Sequence, residues 1–299
     1  MLSVTMAALN AAQKEMNVTS NNLANASTVG FKRSYANFGD VFSNDPASNP
    51  KTAVGAGVLV SSVARDTTAG ALKSTGRVTD MAIDGRGYFV TRDPAGGTSA
   101  ANTYSRAGNF SLDASGNLVD PGGFVVQGFP AVAGTLPLSA NDSSTANLGA
   151  VQIPPSLAAG AAWPTGTVTS SDGVAATAPT SAIVLQSVSI SPKGEVQATY
   201  SDNKTYTLRF VALANFPSDQ GLKAIGNNRY SETGISGASS ITGAGAPKAG
   251  NIMTGTLEQA NVDITSELMD MIRSQQVYNG NARMLQTTME TVSRITDKI

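Results

Sequence analysis

The chain has no cysteine and no histidine among its 299 residues. Without cysteine there are no disulfides and no thiolate nucleophile. Without either residue the usual zinc ligand sets and every imidazole general base are gone. Catalysis would have to rest on carboxylates, serine or lysine. Lack of cysteine also suits a protein that works outside the cell without disulfide machinery. Charge is scarce, at 14% of residues and a net −1. Nothing matches the clustered Lys and Arg that phosphate backbones require, so nucleic acid is not an expected partner. No run approaches the roughly 20 apolar residues of a membrane span, so membrane insertion is not expected. The first residues lack a charged region followed by a long apolar core, so a cleavable signal peptide is not expected either.

Apolar residues make up 41% of the chain, and Gly, Ala, Ser, Thr and Asn fill the difference. The length allows one to three domains and a sizeable core. The strongest pattern is at the end of the chain. Ile264, Met271, Tyr278, Leu285, Val292 and Ile299 recur every seventh residue. Leu268, Gln275, Ala282, Met289 and Thr296 each follow four residues later, which makes a heptad seam, apolar at one position and mixed at the other. The stretch has no Pro, and Asp263 or Thr265 can cap its start, with Glu267 near the positive end of the helix dipole. Leu2, Leu9, Met16 and Leu23 repeat the spacing at the other end of the chain, with Met6, Ala12 and Ala26 beside them. Stripes so narrow imply a partner, and the two helices are expected to meet in a coiled-coil-like layer. The same pattern also suits two surface helices on a globular core.

Between the helices the period changes. Phe31, Tyr35, Phe38 and Phe42, spaced four, three and four, suit a short amphipathic turn with packed aromatics. Ser43 to Gly57, with Pro46 and Pro50, reads as a loop. Strand patterning begins at Val58 and continues through Val60, Val63 and Leu72. Asp80 to Val90 reads as two short strands across a Gly turn, and Asp113 to Asn117 as a hairpin loop. Pro130 to Thr180, rich in Ala, Gly, Ser, Thr and Pro, reads as an insert, a small lobe or a mobile loop. Strands return at Ile183, with hairpin turns at Pro192–Gly194 and Ser201–Lys204, and Gly234 to Gly250 reads as a linker.

The expected class is therefore α+β: a mainly β middle domain built from two chain halves, plus terminal helices. The expected divisions are 1–30 (N-terminal helix), 31–71 (linker and extended segment), 72–130 (first β half), 131–182 (insert or outer lobe), 183–250 (second β half) and 251–299 (C-terminal helix). Asp80 and Asp84 could be imagined as a carboxylate pair and Asp113–Asn117 as a calcium loop. Turn and strand-end roles explain all three acids, and the loop lacks further acidic ligands. No phosphate-binding loop is present. No catalytic, metal or cofactor site is expected.

Several motifs together resemble the axial proteins of the bacterial flagellum, the hook and rod subunits. They are Leu9-Asn-Ala-Ala12, Asn21-Asn-Leu-Ala-Asn25, Val29-Gly-Phe-Lys32, Asp80-Met-Ala-Ile-Asp-Gly-Arg-Gly-Tyr-Phe89, Tyr104-Ser-Arg-Ala-Gly-Asn-Phe-Ser-Leu112, Leu118-Val-Asp-Pro-Gly-Gly-Phe-Val-Val-Gln-Gly128 and Gly255-Thr-Leu-Glu-Gln-Ala-Asn-Val-Asp263. Val211–Phe216 and Gly221–Asn228 look most like the hook subunit, with a rod subunit as the alternative and a carboxylate-based hydrolase as a distant one. The resemblance implies a structural protein, not an enzyme, exported unfolded through the flagellar type III channel and assembled as a hollow helical tube outside the cytoplasmic membrane. Implied partners are further copies of itself, the distal rod and hook–filament junction proteins, the hook cap and the export apparatus. The assembly interface expected from the seams is Leu2, Met6, Leu9, Met16, Leu23, Ile264, Leu268, Met271, Tyr278, Leu285, Met289, Val292 and Ile299.

Overall fold

No Gly or Pro precedes Gly30, and the run of Ala, Leu, Met, Asn and Gln forms helix α1, Leu2–Ala24. The second helix, α2, spans Ile264–Thr296. Asp263 caps it: the Thr265 amide donates to the Asp263 carboxylate at 3.0 Å. Glu267 lies in its first turn and Arg294 in its last, the signs the helix dipole favours. The computed structural model describes residues 2–41, 55, 57–95, 101–131, 148–163, 168–170, 176 and 178–296. Phe42, the Pro46–Pro50 loop and Ile299 lie outside them.

The chain forms two units. The first comprises 1–27, 32–68 and 260–299; the second comprises 28–31 and 69–259. In the first, α1 and α2 pack together and α1 also packs on a two-stranded ribbon. The ribbon pairs β1 (Ser34–Val41) antiparallel with β2 (Gly57–Arg65), with a bulge opposite Asn37/Phe38. This corrects two expectations. Tyr35 and Phe38 lie on a strand, not a helical turn, and of 31–71, expected as a linker and extended segment, 34–41 and 57–65 form a paired ribbon. Helical spacing of a few aromatics loses here to strand pairing, which β-branched and aromatic residues favour.

The second unit is a set of sheets. Its strands are β3 (Leu72–Ser74), β4 (Met81–Asp84), β5 (Tyr88–Arg92), β6 (Asn102–Ser105), β7 (Ser111–Leu112), β8 (Leu118–Val119), β9 (Val125–Pro130), β10 (Gly149–Ala150), β11 (Ser156–Leu157), β12 (Thr169–Ser170), β13 (Ile183–Ile190), β14 (Glu195–Tyr200), β15 (Thr205–Asn215), β16 (Lys223–Gly226), β17 (Arg229–Ser231), β18 (Ser240–Gly243), β19 (Asn251–Thr254) and β20 (Thr256–Glu258). The main sheet runs β11-β13-β14-β15-β9-β5-β6-β17-β16. Its spine is β15, which pairs with β14, β9, β5, β12 and β18, so strands from both chain halves share one sheet. Separately, β19 pairs with β4 and β20 with β3.

Two apolar cores flank this sheet. Tyr206, Leu208, Val211 and Leu213 enter one core, and Phe210, Ala212 and Ala214 the other. The alternation changes parity after Leu208. There the register skips from Val196↔Arg209 to Gln197↔Thr207, and the extra residue of the bulge moves the following side chains to the opposite face. At the β16–β17 turn Asn227 and Asn228 both have positive φ (51° and 55°), the conformation of a tight hairpin turn, which Asn tolerates.

Two more expectations change. Of the 131–182 stretch, the described part is no separate lobe: β10 pairs with β9, β11 with β13 and β12 with β15. Its Val151, Ile153, Leu157, Trp163 and Val168 are buried in the first core. Likewise 234–250 is no linker. It holds β18, whose Ile241 is buried in the second core beside β15. In both stretches a few large apolar residues among many small ones suffice to anchor the chain.

A candidate assembly surface on the terminal helices

The surfaces that α1 and α2 bury are small or polar. In α1 the buried residues are Thr5, Ala11, Ala12, Thr19 and Asn22; in α2 they are Glu267 and Ser274. On α1, Thr5, Ala12 and Thr19 recur every seventh residue and Ala8, Glu15 and Asn22 interleave with them, giving a heptad line about a quarter turn from Leu2, Leu9, Met16 and Leu23. On α2 the covered line is Glu267, Ser274, Asn281 and Thr288, with Met271, Tyr278 and Leu285 half-buried beside it.

Met271, Tyr278 and Leu285 thus lie beside the line that the helix pair covers. Leu268 and Met289 do not: they are 43% and 60% exposed, their places taken by the residues one position earlier in sequence. Leu2, Met6, Ile264 and Val292 are exposed as well, and Leu9, Met16 and Leu23 are half-buried. From Met289 to Thr296 every residue is exposed.

A knot of side-chain amides and charges holds the base of the helices. Asn22, 1% exposed, donates through Nδ2 to Glu267 Oε2 (3.1 Å) and to the Ser34 carbonyl (2.7 Å), and its Oδ1 accepts from the Ser34 amide (2.9 Å). Since Asn22 ends α1 and Glu267 begins α2, the two helices run antiparallel. Glu267 is also ion-paired with Arg33. Burying a carboxylate is tolerable here because an arginine, an amide donor and the positive end of α2 all face it. Asn261 accepts from the Arg33 amide at 2.7 Å and donates to the Asp66 carbonyl at 3.1 Å. Lys32 donates to the Thr68 carbonyl at 2.6 Å. Backbone donation from Thr68, opposed by some burial, holds the Asp66 carboxyl below the usual carboxylate range.

A second knot lies in the other unit. Glu258, fully buried, accepts from the Gly70 amide (2.9 Å) and pairs with Arg106 (3.3 Å), whose other nitrogen donates to the Gly85 carbonyl (2.9 Å). The Glu258 carbonyl accepts from the Gly30 amide at 2.8 Å. Gly30 has φ +68°, and a Cβ there would lie 2.6 Å from the Ala107 nitrogen, so only glycine fits. Asn228 donates to the Val29 carbonyl at 2.7 Å. Arg229 pairs with Asp120 at 3.3 Å and stacks 3.5 Å over the Phe124 ring. Composition and periodicity assign no role to Asn22, Arg33, Asn261, Glu258 or Arg106, and give Glu267 only its place at the helix dipole. Asn22, Gly30, Arg106, Glu258 and Asn261 lie within the motifs, whereas Arg33 and Glu267 lie outside them.

The acidic candidates stay apart. Asp80 is buried and bridged to Asn109, Asp84 is exposed opposite Asn251, and Asp113 caps its own turn. Burial raises the Asp113 carboxyl, but donation from the Asn117 side chain and from the Asn117, Ser115 and Gly116 amides outweighs it, and the carboxyl lies below its ordinary range. A surface cavity of about 660 Å³ is lined by Gly85, Arg86, Phe216, Pro217, Asp219 and Lys248 among others; Asp219, its only carboxylate among the described residues, faces Arg86 at 3.8 Å. Among the described residues no three acidic side chains gather as a metal site, and no helix is long and apolar enough to cross a membrane.

Comparison with known proteins agrees with the motifs. Residues 82–198 match the family model of the flagellar hook protein FlgE/F/G D1 domain. Residues 2–32 match that of the flagella basal body rod protein, and 253–297 that of the flagellar basal body rod FlgEFG protein C-terminal region. The flagellar basal-body rod protein FlgG of Caulobacter vibrioides is 32% identical over 289 residues, covering 93% of this chain and 90% of its own. FlgG of Bacillus subtilis is 32% identical over 296 residues, covering 95% and 92%. The flagellar hook protein FlgE of Salmonella typhimurium is 28% identical over 400 residues, covering 95% and 96%. The chain therefore belongs to the flagellar rod and hook protein family, the structural subunits of the flagellar axis.

Proposed function

We propose that this chain polymerises through α1 and α2 into a hollow helical tube, and that its place is the hook, where it passes motor torque to the filament. The observation that carries the proposal is the inverted helix pair: small and polar residues are covered, while Leu2, Met6, Ile264, Leu268, Met289 and Val292 are between 43% and 60% exposed. Apolar area on this scale gains about 25 cal/mol per Å² when covered, and neighbouring copies are what a tube supplies. In the assembled state the helices form the coiled-coil-like inner layer. The chain turns over no substrate. Its further partners are the distal rod and hook–filament junction proteins at the tube's ends, the hook cap, and the export apparatus that delivers it without a cleaved signal peptide.

A distal-rod role is the second reading. It is favoured by the rod relatives, which align almost end to end over about the chain's own length, whereas the hook alignment extends to 400 residues. Electron microscopy of a strain lacking this chain separates the two: basal bodies that end in a complete rod support the hook, and basal bodies that stop short of it support the rod.

A further inference from the structure

With no cysteine in the chain, its only sulfur is that of nine methionines. Their distribution is uneven. Helices α1 and α2, 23 and 33 residues long, hold six of the nine: Met6 and Met16 on the first, Met269, Met271, Met284 and Met289 on the second. Met6, Met269, Met284 and Met289 are 47% to 64% exposed, and Met16 and Met271 are half-buried. The sheet unit holds two. Met81 is fully buried in the first core, and Met253, on β19, is 40% exposed. The thioethers that a dissolved oxidant meets first are thus mainly those of the terminal helices.

We propose that Met6, Met269, Met284 and Met289 form a reversible oxidation site, through which a peroxide takes the terminal helices out of assembly. The inference rests on the self-assembly proposed above and adds a chemical control to it. The thioether sulfur attacks one oxygen of hydrogen peroxide and the O–O bond breaks. The attacked oxygen stays on sulfur as a sulfoxide, and its proton passes to the departing hydroxide, which leaves as water. Sulfur is oxidised by two electrons and the peroxide is reduced by two. A flexible apolar side chain becomes a polar, chiral one. Covering a thioether with an apolar neighbour is favourable, whereas covering a sulfoxide strips its oxygen of water and is unfavourable unless a donor replaces it. Three such sulfurs on α2 repeat that penalty along one helix. The step is reversible: a thiol-dependent sulfoxide reductase returns the thioether, with two thiols going to a disulfide and the oxygen leaving as water. Lack of cysteine keeps the response on methionine, because the chain itself has no thiol to form a competing sulfenic acid or disulfide. The folded sheet is spared, since Met81 is enclosed and Met253 lies at its surface.

The test uses the purified full chain and dilute hydrogen peroxide. One variant carries Met6→Leu, Met269→Leu, Met284→Leu and Met289→Leu together, an exchange of similar volume and apolarity. A second carries Gln at the same four positions, polar without any oxidant. Peptide mass mapping of treated monomer should show one added oxygen at each of the four sites before any at Met81. Sedimentation should show that untreated parent and Leu variant both polymerise, that treated parent does not, and that the treated Leu variant still does although its Met253 is oxidised. The Gln variant should fail to polymerise without treatment, and sulfoxide reductase should return the treated parent to polymer. The inference is overturned if treated parent, modified at all four sites, polymerises normally, or if the Leu variant loses as much polymer as the parent on treatment. Loss that the reductase does not reverse overturns it as well. Untreated parent that never polymerises contradicts the self-assembly proposal instead, and the mass map then still decides the site: Met81 as reactive as the four would overturn it.

Discussion

Strand β15 and helix α2 are the two longest elements of their units, and they bury opposite things. In β15 the run from Phe210 to Ala214 is buried without a break, at 0% to 6% exposure. In α2 the two buried residues of 33 are a glutamate and a serine, while nine large apolar side chains from Ile264 to Ile295 stay exposed. The sheet unit therefore has what it needs for stability in its own chain. The helix pair has polar knots that set its geometry and little apolar burial to stabilise it. Ordering a residue costs about 1–2 kcal/mol of backbone entropy, and a buried large apolar side chain returns about 1.5–3 kcal/mol. A unit with few such residues buried has little to offset that cost, which is what the proposed assembly would supply.

The comparison can be broken at either end. The largest effect is expected in the sheet unit. Glu258→Ala leaves Arg106 buried and unpaired, and denaturant unfolding should show a loss of about 3–5 kcal/mol. Leu213→Ala, at a fully buried position of β15, should lose about 2–5 kcal/mol by the same measurement. Leu268→Ala on α2 should by contrast change monomer stability by about 0.5 kcal/mol or less. A similar loss at Leu213 and Leu268 would erase the distinction between the units.

Next comes the helix base. Asn22→Ala removes an amide that serves Glu267 and Ser34 at once, and in assembled polymer should cost the helix pair about 1–3 kcal/mol, read as faster amide exchange in α1 and α2, while the sheet unit keeps its denaturation midpoint. Leu285→Asp places a charge on the half-buried line of α2. Sedimentation should then show polymer growth blocked, with the near-ultraviolet signal of Trp163 in the sheet core unchanged.

The smallest effect is a pH dependence confined to the sheet unit. Burial, with the hydrogen bond to Asp202 and its charge, pushes Tyr206 up to about 12. Burial, then Tyr206, raises Tyr200 beyond the ordinary phenol range. The folded state therefore favours the neutral phenols. Their contribution is fully present below the ordinary value of about 10 and is lost as pH rises through the folded value. Tyr206→Phe should make sheet stability less steeply dependent on pH between about 10 and 12. An unchanged alkaline profile would remove Tyr206 from the account.

Much of this was legible in the sequence, and the gaps share a cause. Strong periodicity placed both helices, the Asp263 cap and the hairpins at Asp113–Asn117, Pro192–Gly194 and Ser201–Lys204. On α2, Met271, Tyr278 and Leu285 lie half-buried beside the covered line, while Leu268 and Met289 are exposed and the residue before each is covered, a shift that a pattern expecting apolar side chains inside does not carry. Glu267 could be buried only because Asn22, 245 residues away, and Arg33 meet it, and no local pattern carries that information. The ribbon was hidden for the same reason: Tyr35 and Phe38 suit a helix until Ala64 and Val60 are brought opposite them. In 131–182 and 234–250 the many small residues masked single anchors such as Trp163 and Ile241.

The central claim is that the terminal helices depend on neighbours while the sheet unit does not. Amide hydrogen exchange on dilute monomer and on assembled polymer tests it most directly. The account predicts that in the monomer the amides of α1 and α2 exchange nearly as fast as in an unfolded peptide while those of β14, β15 and β9 are strongly protected, and that polymerisation protects the helices. Helix amides as protected in dilute monomer as those of β15 would contradict it.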